Sequence, residues 1–342
     1  MSADRSAPGA DDRQSPAARR DAWSRYWARG APHSCVGTYG ENYGGVIAGF
    51  WREVFGALPA VARVLDIATG NGALPRLLLD QCRAPGVQCD AVDIVAVSPP
   101  WLASLAPAEQ GRLRFHGGID AAELPLADRS FDLIVSQYGL EYTDFDRTLP
   151  ELLRVRAPGG GVAMVLHHAQ GRPATLAQVE IDHLRWLAGE GGLFDVAAAL
   201  IEPMTRAATP QGRVALQQDP QADAARERFN DLQGQVSARA AAAAGDGADV
   251  LHEVRDAVMS VFTLAGREGA AIARAALSAL REELAAGATR LGDLRAHALD
   301  VHRAQALQER LATELGMPVS LGELREKGGY LMGWTMRTPL TR

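Results

Sequence analysis

The spacing of apolar and polar positions divides the chain into three stretches. From about residue 21 to residue 60, apolar residues recur at helical intervals between glycine-rich turns. Trp23, Tyr26 and Trp27 share one face of a predicted helix, and Val46, Phe50 and Val54 share another. From about residue 61 to residue 170 the pattern changes to short branched runs: ARVLDI, VQCDAVDI, RLRFHGGID, SFDLIVSQ and GGVAMVLHH. Helical segments such as ALPRLLLDQC and DRTLPELLRV lie between them, which predicts βαβ units and a mainly parallel sheet. Ligands of such sheets bind beyond the carboxyl ends of the strands. From about residue 171 to residue 315 helical periodicity dominates, with Leu251, Val254, Val258 and Phe262 tracing one core-facing stripe. Glycine and proline divide this stretch into six predicted helices, near 174–189, 193–206, 220–243, 248–266, 269–286 and 288–314. PVSLGELRE and YLMGWTMRT, flanking Lys327-Gly328-Gly329, then read as an antiparallel hairpin closing the sheet.

Composition narrows the function classes. With 342 residues, 47% apolar and 22% charged, the chain can bury a sizeable core. A net charge of −6 argues against binding nucleic acid through an overall field, and residues 171–315 carry 15 arginines against 20 acids. No run of 18 apolar residues occurs, so no membrane span is expected. The first twenty residues are charged throughout and lack the apolar centre of a secretory signal, so they are expected to be a disordered tail. Cys35, Cys82 and Cys89 form no CxxC pair, which suggests neither a zinc site nor a disulfide framework and favours a cytoplasmic location. Lys327 is the only lysine among 35 basic residues. Because arginine is spread along the whole chain beside alanine runs, a coding bias explains it better than an anion site does.

The most informative stretch is Val64-Leu-Asp-Ile-Ala-Thr-Gly-Asn-Gly-Ala73. A glycine turn between strand and helix lets a ligand approach the backbone, beside helix amides that have no partner of their own. Alone, it is equally well read as a tight turn. Context sharpens it: Asp93 ends the next strand, where a carboxylate can accept from two ribose hydroxyls. Pro75 stands where a pyrophosphate fingerprint has glycine, and Asp66 opposes a diphosphate but suits an ammonium group. The pattern therefore favours S-adenosylmethionine over NAD.

Here the sequence resembles class I S-adenosylmethionine-dependent methyltransferases. Asp66-Ile-Ala-Thr-Gly-Asn-Gly72 looks like their D/E-x-G-x-G-x-G signature, and Asp93 matches the acid ending their second strand. Asp120 in GGIDAAELPLADRSFDLIVSQYGLEY, the phrase LPLADRSFDLIVS and ELLRVRAPGGGVAMVLHH match later motifs in the family's order. The resemblance covers roughly residues 60–168 and the last twenty, and departs at Ala68, where glycine is usual. It implies that Ala68, Gly70 and Gly72 form the turn under the cofactor's methionine part and that Asp66 holds its amino group. It implies further that Asp93, with Ile94 beside it, takes the ribose, that Asp120 and Ala121 meet the adenine, and that Gln137 sits beside the sulfonium.

Other candidates are weighed against plainer readings. Glu141 is a candidate general base, or else a loop carboxylate paired with Arg147. His167 and His168 end the fifth strand, and alternation sends one toward the pocket and the other into packing. Methyl transfer can also proceed by alignment alone. His33, Cys35, Tyr39 and Tyr43 either cover the cofactor or simply pack, with Tyr43 counted among the cofactor contacts. A metal held by His33 and Cys35 is disfavoured. Ser98-Pro-Pro-Trp101 resembles the box of amino-methyltransferases that clamps a flipped base, but it follows the second strand instead of the fourth and reads better as a proline-initiated helix. His183, His252, His297 and His302 lie within predicted helices as packed or surface residues.

The expected architecture is α/β, a Rossmann-like mainly parallel sheet with a large helical insertion before a C-terminal antiparallel hairpin. Its parts are a tail (1–20), an N-terminal helical and aromatic lid (21–60), the core (61–170), a helical cap (171–315) and the closing strands (316–342). The expected activity is methylation of a small-molecule acceptor on oxygen, nitrogen or carbon, without nucleic acid or membrane, and a homodimer is kept open. The alternatives are methylation of a peptide or protein side chain, or an interaction protein that keeps the cofactor fold without turnover.

Overall fold

A computed structural model describes residues 15–35, 39–243 and 247–339. The chain forms two compact units, one of residues 1–175 and 293–342, the other of residues 176–292.

The first unit is built on a seven-stranded sheet in the order β3-β2-β1-β4-β5-β7-β6. Its elements begin with α1 (Pro16–Ala28), α2 (Gly45–Gly56), β1 (Val61–Ile67), α3 (Ala73–Gln81), β2 (Gly86–Asp93) and β3 (Leu113–Gly117). They continue with β4 (Phe131–Gln137), α4 (Phe145–Val155) and β5 (Arg156–Leu166). Helices α5 (Arg172–Ala188), α6 (Leu193–Ala207), α7 (Pro210–Leu216), α8 (Pro220–Ala242), α9 (Asp249–Glu268) and α10 (Ala270–His297) follow, then α11 (Val301–Leu315), β6 (Ser320–Arg325) and β7 (Leu331–Arg337). Strands β1 to β5 pair in parallel, while β7 runs antiparallel to both β5 and β6. The order of the parallel strands reverses between β1 and β4, which opens a crevice at their carboxyl ends.

Consecutive strand residues face opposite sides, so the sheet supports two apolar layers. Val64, Val135 and Val165 meet Ile47, Trp51 and Phe55 of α2 and Leu74 and Leu78 of α3. Leu65, Ile134 and Met164 meet Leu149 and Leu152 of α4 and Leu307 and Leu311 of α11. The second unit is helical, and Leu251, Val254, Val258 and Phe262 are buried along α9 as their spacing predicts. Phe262 meets Phe229 of α8 edge to face, with centroids 5.0 Å apart.

Several boundaries differ from the sequence reading, each for a local reason. Residues 16–20, assigned to the tail, are helical because the Ser15 side chain caps the Ala18 amide and Pro16 pre-sets the first turn. The rest of that tail, residues 1–14, lies outside the described residues. The helix predicted over 269–286 runs on to His297 through Gly287 and Gly292, since a glycine inside a helix costs only about 1 kcal/mol. The break falls later, where Asp300 caps α11 through the Arg303 amide. Helix α7, capped by Thr209, was not anticipated. The buried face of α2 is Ile47, Trp51, Val54 and Phe55, one register from the predicted Val46, Phe50 and Val54 stripe. Residues 301–315, assigned to the cap, pack in the first unit beneath the sheet.

That last placement is testable. Leu311→Ala should destabilise the first unit by about 2–4 kcal/mol, the usual cost of emptying a buried leucine site. Urea unfolding followed by hydrogen exchange on β4 and β5 would measure it, and unchanged stability of those strands would place α11 elsewhere.

Candidate functional site

The crevice is shaped by backbone that few residues adopt. After Ile67 the chain passes through left-handed conformations at Ala68 (φ +55°), Gly70 (φ +53°) and Gly72 (φ +76°) before α3 begins. Across the crevice, Tyr138 after β4 is also left-handed (φ +53°). A side-chain carbon on Gly139 would lie 2.5 Å from the Ala68 methyl, so glycine is required there. Two non-glycine residues are thus held in an unfavourable region on either side of the switch point, as commonly occurs at functional sites.

Asp93 holds the turn in place. Its Oδ2 accepts from the Gly70 amide at 2.8 Å and its Oδ1 from the Val95 amide at 3.1 Å. Burial raises its pKa against the pull of these amides. Each oxygen keeps a second lone pair for a further donor. The next residue, Ile94, is 42% exposed, a bare apolar platform beside a polar anchor. The loop bearing Asp120 is tied to the same strand end, because the Ile119 amide donates to the Asp93 carbonyl at 2.9 Å. Asp120 stands half-exposed, its Oδ1 accepting from the Ala122 amide at 2.9 Å and its Oδ2 lying 3.9 Å from Arg147. Ala121 is buried beside it.

Asp66 and Gln137 present polar atoms that the protein itself leaves unsatisfied. Asp66 is 1% exposed, and its Oδ2 has no hydrogen-bond partner. Burial, helped by the charge of Asp93 and opposed by the Thr69 hydroxyl, pushes its carboxyl up from 3.8 to about 8. Trp51 Nε1 donates to Gln137 Oε1 at 2.6 Å. Since an indole N–H can only donate, this bond orients the amide, and Gln137 Nε2 is left buried without a partner. Asp66, Gln137 and Tyr138 line a cavity whose other wall is Trp23, Trp27, His33 and Tyr43 of the N-terminal segment. His33 stacks on Tyr43 with centroids 4.3 Å apart, and burial lowers its pKa to about 4, so it stays neutral at physiological pH. Its Nδ1 accepts from the Cys35 amide at 3.1 Å, which occupies the lone pair a base would use. Tyr39 stands further out, donating to Glu326 on the β6–β7 hairpin at 2.9 Å.

The three candidate bases separate. Glu141 Oε1 accepts from the His167 amide at 2.6 Å and lies 2.7 Å from His167 Nδ1, forming a fully buried pair. Arg147, the alternative partner for Glu141, reaches Asp120 instead. The His167 ring stacks on Tyr138 with centroids 4.1 Å apart, so the pair stands behind the tyrosine that lines the cavity. His168 stacks on Trp334 at 4.3 Å, and its Nδ1 accepts from the Gln170 amide at 2.9 Å, so both histidines pack and neither lines the cavity, against the expectation that one would face it. Ser98-Pro-Pro-Trp101 starts a 3₁₀ turn, and Trp101 Nε1 donates to the Asn71 carbonyl at 2.8 Å. Sequence reasoning passed over Trp51 and Asn71. Trp51 carries its signal in the apolar spacing of α2 with Ile47 and Phe55, but nothing in the sequence pairs it with Gln137.

Comparison with known proteins gives the following. Residues 64–160 match a family described as methyltransferase domain. The chain is 36% identical over 110 residues to the demethylmenaquinone methyltransferase of Thermus thermophilus, covering 31% of this chain and 47% of that protein. It is 34% identical over 164 residues to the malonyl-[acyl-carrier protein] O-methyltransferase of Methylococcus capsulatus, covering 45% and 55%. The chain therefore spans about half the length of the curated relatives it matches. Among solved structures, the 1,6-didemethyltoxoflavin-N1-methyltransferase of Burkholderia thailandensis aligns with a TM-score of 0.37 and 24% identity, over 48% of this chain and 67% of that one.

Two measurements check the geometry. Ala68→Gly should raise stability by up to about 1 kcal/mol by relieving a left-handed alanine, seen as a higher urea midpoint; a lower midpoint would contradict the strained turn. The Asp66 carboxyl titrates at 3.8 when unperturbed and at about 8 in the fold, so the native state holds the extra proton between those values. Its stabilising contribution is complete below that window and is lost as pH rises through it. Asp66→Asn should flatten this part of the profile in thermal melts from about pH 4 to pH 9, and an unaltered slope would refute the buried, unpaired placement.

Proposed function

We propose that this chain, whose sheet unit is a class I S-adenosylmethionine-dependent methyltransferase domain, methylates a small-molecule acceptor in the crevice between β1 and β4. The observation that carries this reading is the pair of buried, unpartnered polar atoms, Asp66 Oδ2 and Gln137 Nε2, on residues lining one cavity beside a left-handed turn. Leaving such atoms unmade costs about 1–3 kcal/mol each, a cost that a polar ligand would offset. Methyltransferases of this family use S-adenosylmethionine, and the residues here suit it. Asp66 would take the ammonium group, Asp93 the ribose hydroxyls, Ile94 and Ala121 the faces of the adenine, and Asp120 its amino group. When bound, S-adenosylmethionine supplies a methyl group on a positively charged sulfur, which calls for alignment more than activation.

The residues of the chain supply that alignment. Tyr138, held by the His167 ring and by its own hydroxyl bond to the Met332 carbonyl at 2.8 Å, gives the acceptor a rigid wall. Glu141 keeps His167 in register and so acts through Tyr138, as a positioning residue. Tyr43 and neutral His33 exclude water and offer ring faces to a cationic centre. Asp66 is the one acidic side chain on the lining, and an ammonium group bound there would draw off the proton that burial holds on it, so the transfer runs by orientation and desolvation without a dedicated base.

A concave cavity with rings along one wall suits a small molecule better than a folded polymer. One of the relatives above is named for demethylmenaquinone, a small acceptor. The other is named for malonyl-[acyl-carrier protein], which makes an acceptor tethered to a carrier the second reading.

Calorimetry should show S-adenosylmethionine binding to the intact protein and NAD failing to bind. Asp93→Ala should weaken the S-adenosylmethionine affinity by roughly 1.5–3 kcal/mol, the usual worth of charge-assisted hydrogen bonds. Preferential binding of NAD would overturn the assignment, and undiminished affinity in a folded Asp93→Ala variant would overturn the role given to Asp93.

A further inference from the structure

The face of the turn that Gly70 leaves bare is filled by the chain itself. A side-chain carbon on Gly70 would lie 2.6 Å from Cζ2 and 2.7 Å from Cη2 of Trp27, so the indole rests directly on the glycine backbone. This is the surface on which the proposed function seats S-adenosylmethionine. Trp27 belongs to α1, which lacks the apolar stripe that normally fixes a helix to a core, and Ala22 is its only fully buried residue. The helix is held by rings and by polar bonds. Trp27 stacks on Trp23 at 5.8 Å, and Trp23 Nε1 donates to Asp293 at 2.9 Å. Arg19 adds an ion pair with Asp293 and a contact with His297 at 3.3 Å, and a further hold comes from inside the turn. Asn71 is 1% exposed, and its Nδ2 donates to the Trp27 carbonyl at 2.9 Å and to the Ala31 carbonyl at 2.8 Å. Those carbonyls belong to the last turn of α1 and the chain just beyond it, and the Trp27 carbonyl accepts from the Gly30 amide as well, at 2.9 Å. One amide between Gly70 and Gly72 thus joins the turn to the helix that covers it, and Trp101 holds the carbonyl of the same asparagine.

We propose that Asn71 is a positioning residue that latches α1 onto the turn, and that Trp27 competes with S-adenosylmethionine for the face of Gly70. This rests on the reading that the cofactor lies on residues 66–72. Docking of α1 and seating of the cofactor exclude each other at Gly70, so α1 yields as the cofactor enters. The apparent affinity is lowered by the fraction of molecules in which α1 is docked.

Hydrogen exchange on the cofactor-free protein tests the latch alone. In Asn71→Ala, amides of residues 19–31 should exchange at least about tenfold faster, as expected when two hydrogen bonds are lost, while β1 and α3 keep their protection. Stopped-flow tryptophan fluorescence tests the competition. Asn71→Ala and Trp27→Ala should each bind S-adenosylmethionine faster and about five- to twentyfold tighter than the parent, and the cofactor should deprotect residues 19–31 of the parent. Trp27→Ala leaves every Asn71 bond in place, so it tests the competition even where Asn71→Ala folds poorly. Unchanged exchange of residues 19–31 in folded Asn71→Ala overturns the latch. Weaker binding by Trp27→Ala, or protection of α1 by the cofactor, overturns the competition. Failure of the parent and both variants to bind S-adenosylmethionine overturns the cofactor reading, whatever the exchange of α1 shows.

Discussion

Five residues between β1 and α3, Ala68 to Gly72, must turn the chain from a buried parallel strand into a helix, and they do so through three left-handed positions. The rest of the first unit follows from this constraint. Asp93 is drawn to the turn because the Gly70 amide needs an acceptor. Gly139 is bare because the Ala68 methyl stands opposite. The crevice between β1 and β4 stays open because both of its lips leave their strands in conformations that regular structure avoids.

Around that turn the chain places groups that do not complete one another. A buried carboxyl and a buried amide on the cavity lining have atoms with no partner, whereas Ser136 nearby is satisfied twice, donating to the Ile67 carbonyl and accepting from the Leu140 amide. Because these two atoms belong to residues lining one cavity, both are available to a polar ligand there. The Glu141–His167 pair, whose Oε2 and Nε2 are unpartnered too, lies off the cavity lining. It lies beneath Tyr138 and stiffens the wall, with Glu141 Oε1 shared between the amide and the ring nitrogen of His167. The N-terminal segment completes the enclosure with rings, and it is attached by few bonds, so the enclosure and access to it depend on the same contacts.

What could be read directly from residue order was whatever depends on neighbours in the chain. Period-two and period-3.6 patterns place the strands and most helices, because burial of one face imposes them locally. The five parallel strands and the closing hairpin appear where their branched runs stand. The glycine turn and Asp93 were legible because backbone conformation and strand ends leave residue-specific marks at fixed spacing. Helix ends were less legible. Gly287 reads as a break yet lies inside α10, because the roughly 1 kcal/mol cost of one helical glycine is small against the rest of a long helix.

Contacts between distant segments had no such mark. Nothing in the order of residues distinguishes His167 from His168, and only the packing of β5 against Tyr138 on one side and Trp334 on the other assigns them. The assignment of α11 to the sheet unit, the orientation of Gln137 by Trp51 and the grip of Asn71 on α1 likewise arise from side chains brought together across 40 residues or more. Local backbone preference and periodic burial are written along the chain. Which donor meets which acceptor is decided only when the layers close, because a hydrogen bond depends on distances of a few ångströms that sequence separation does not encode.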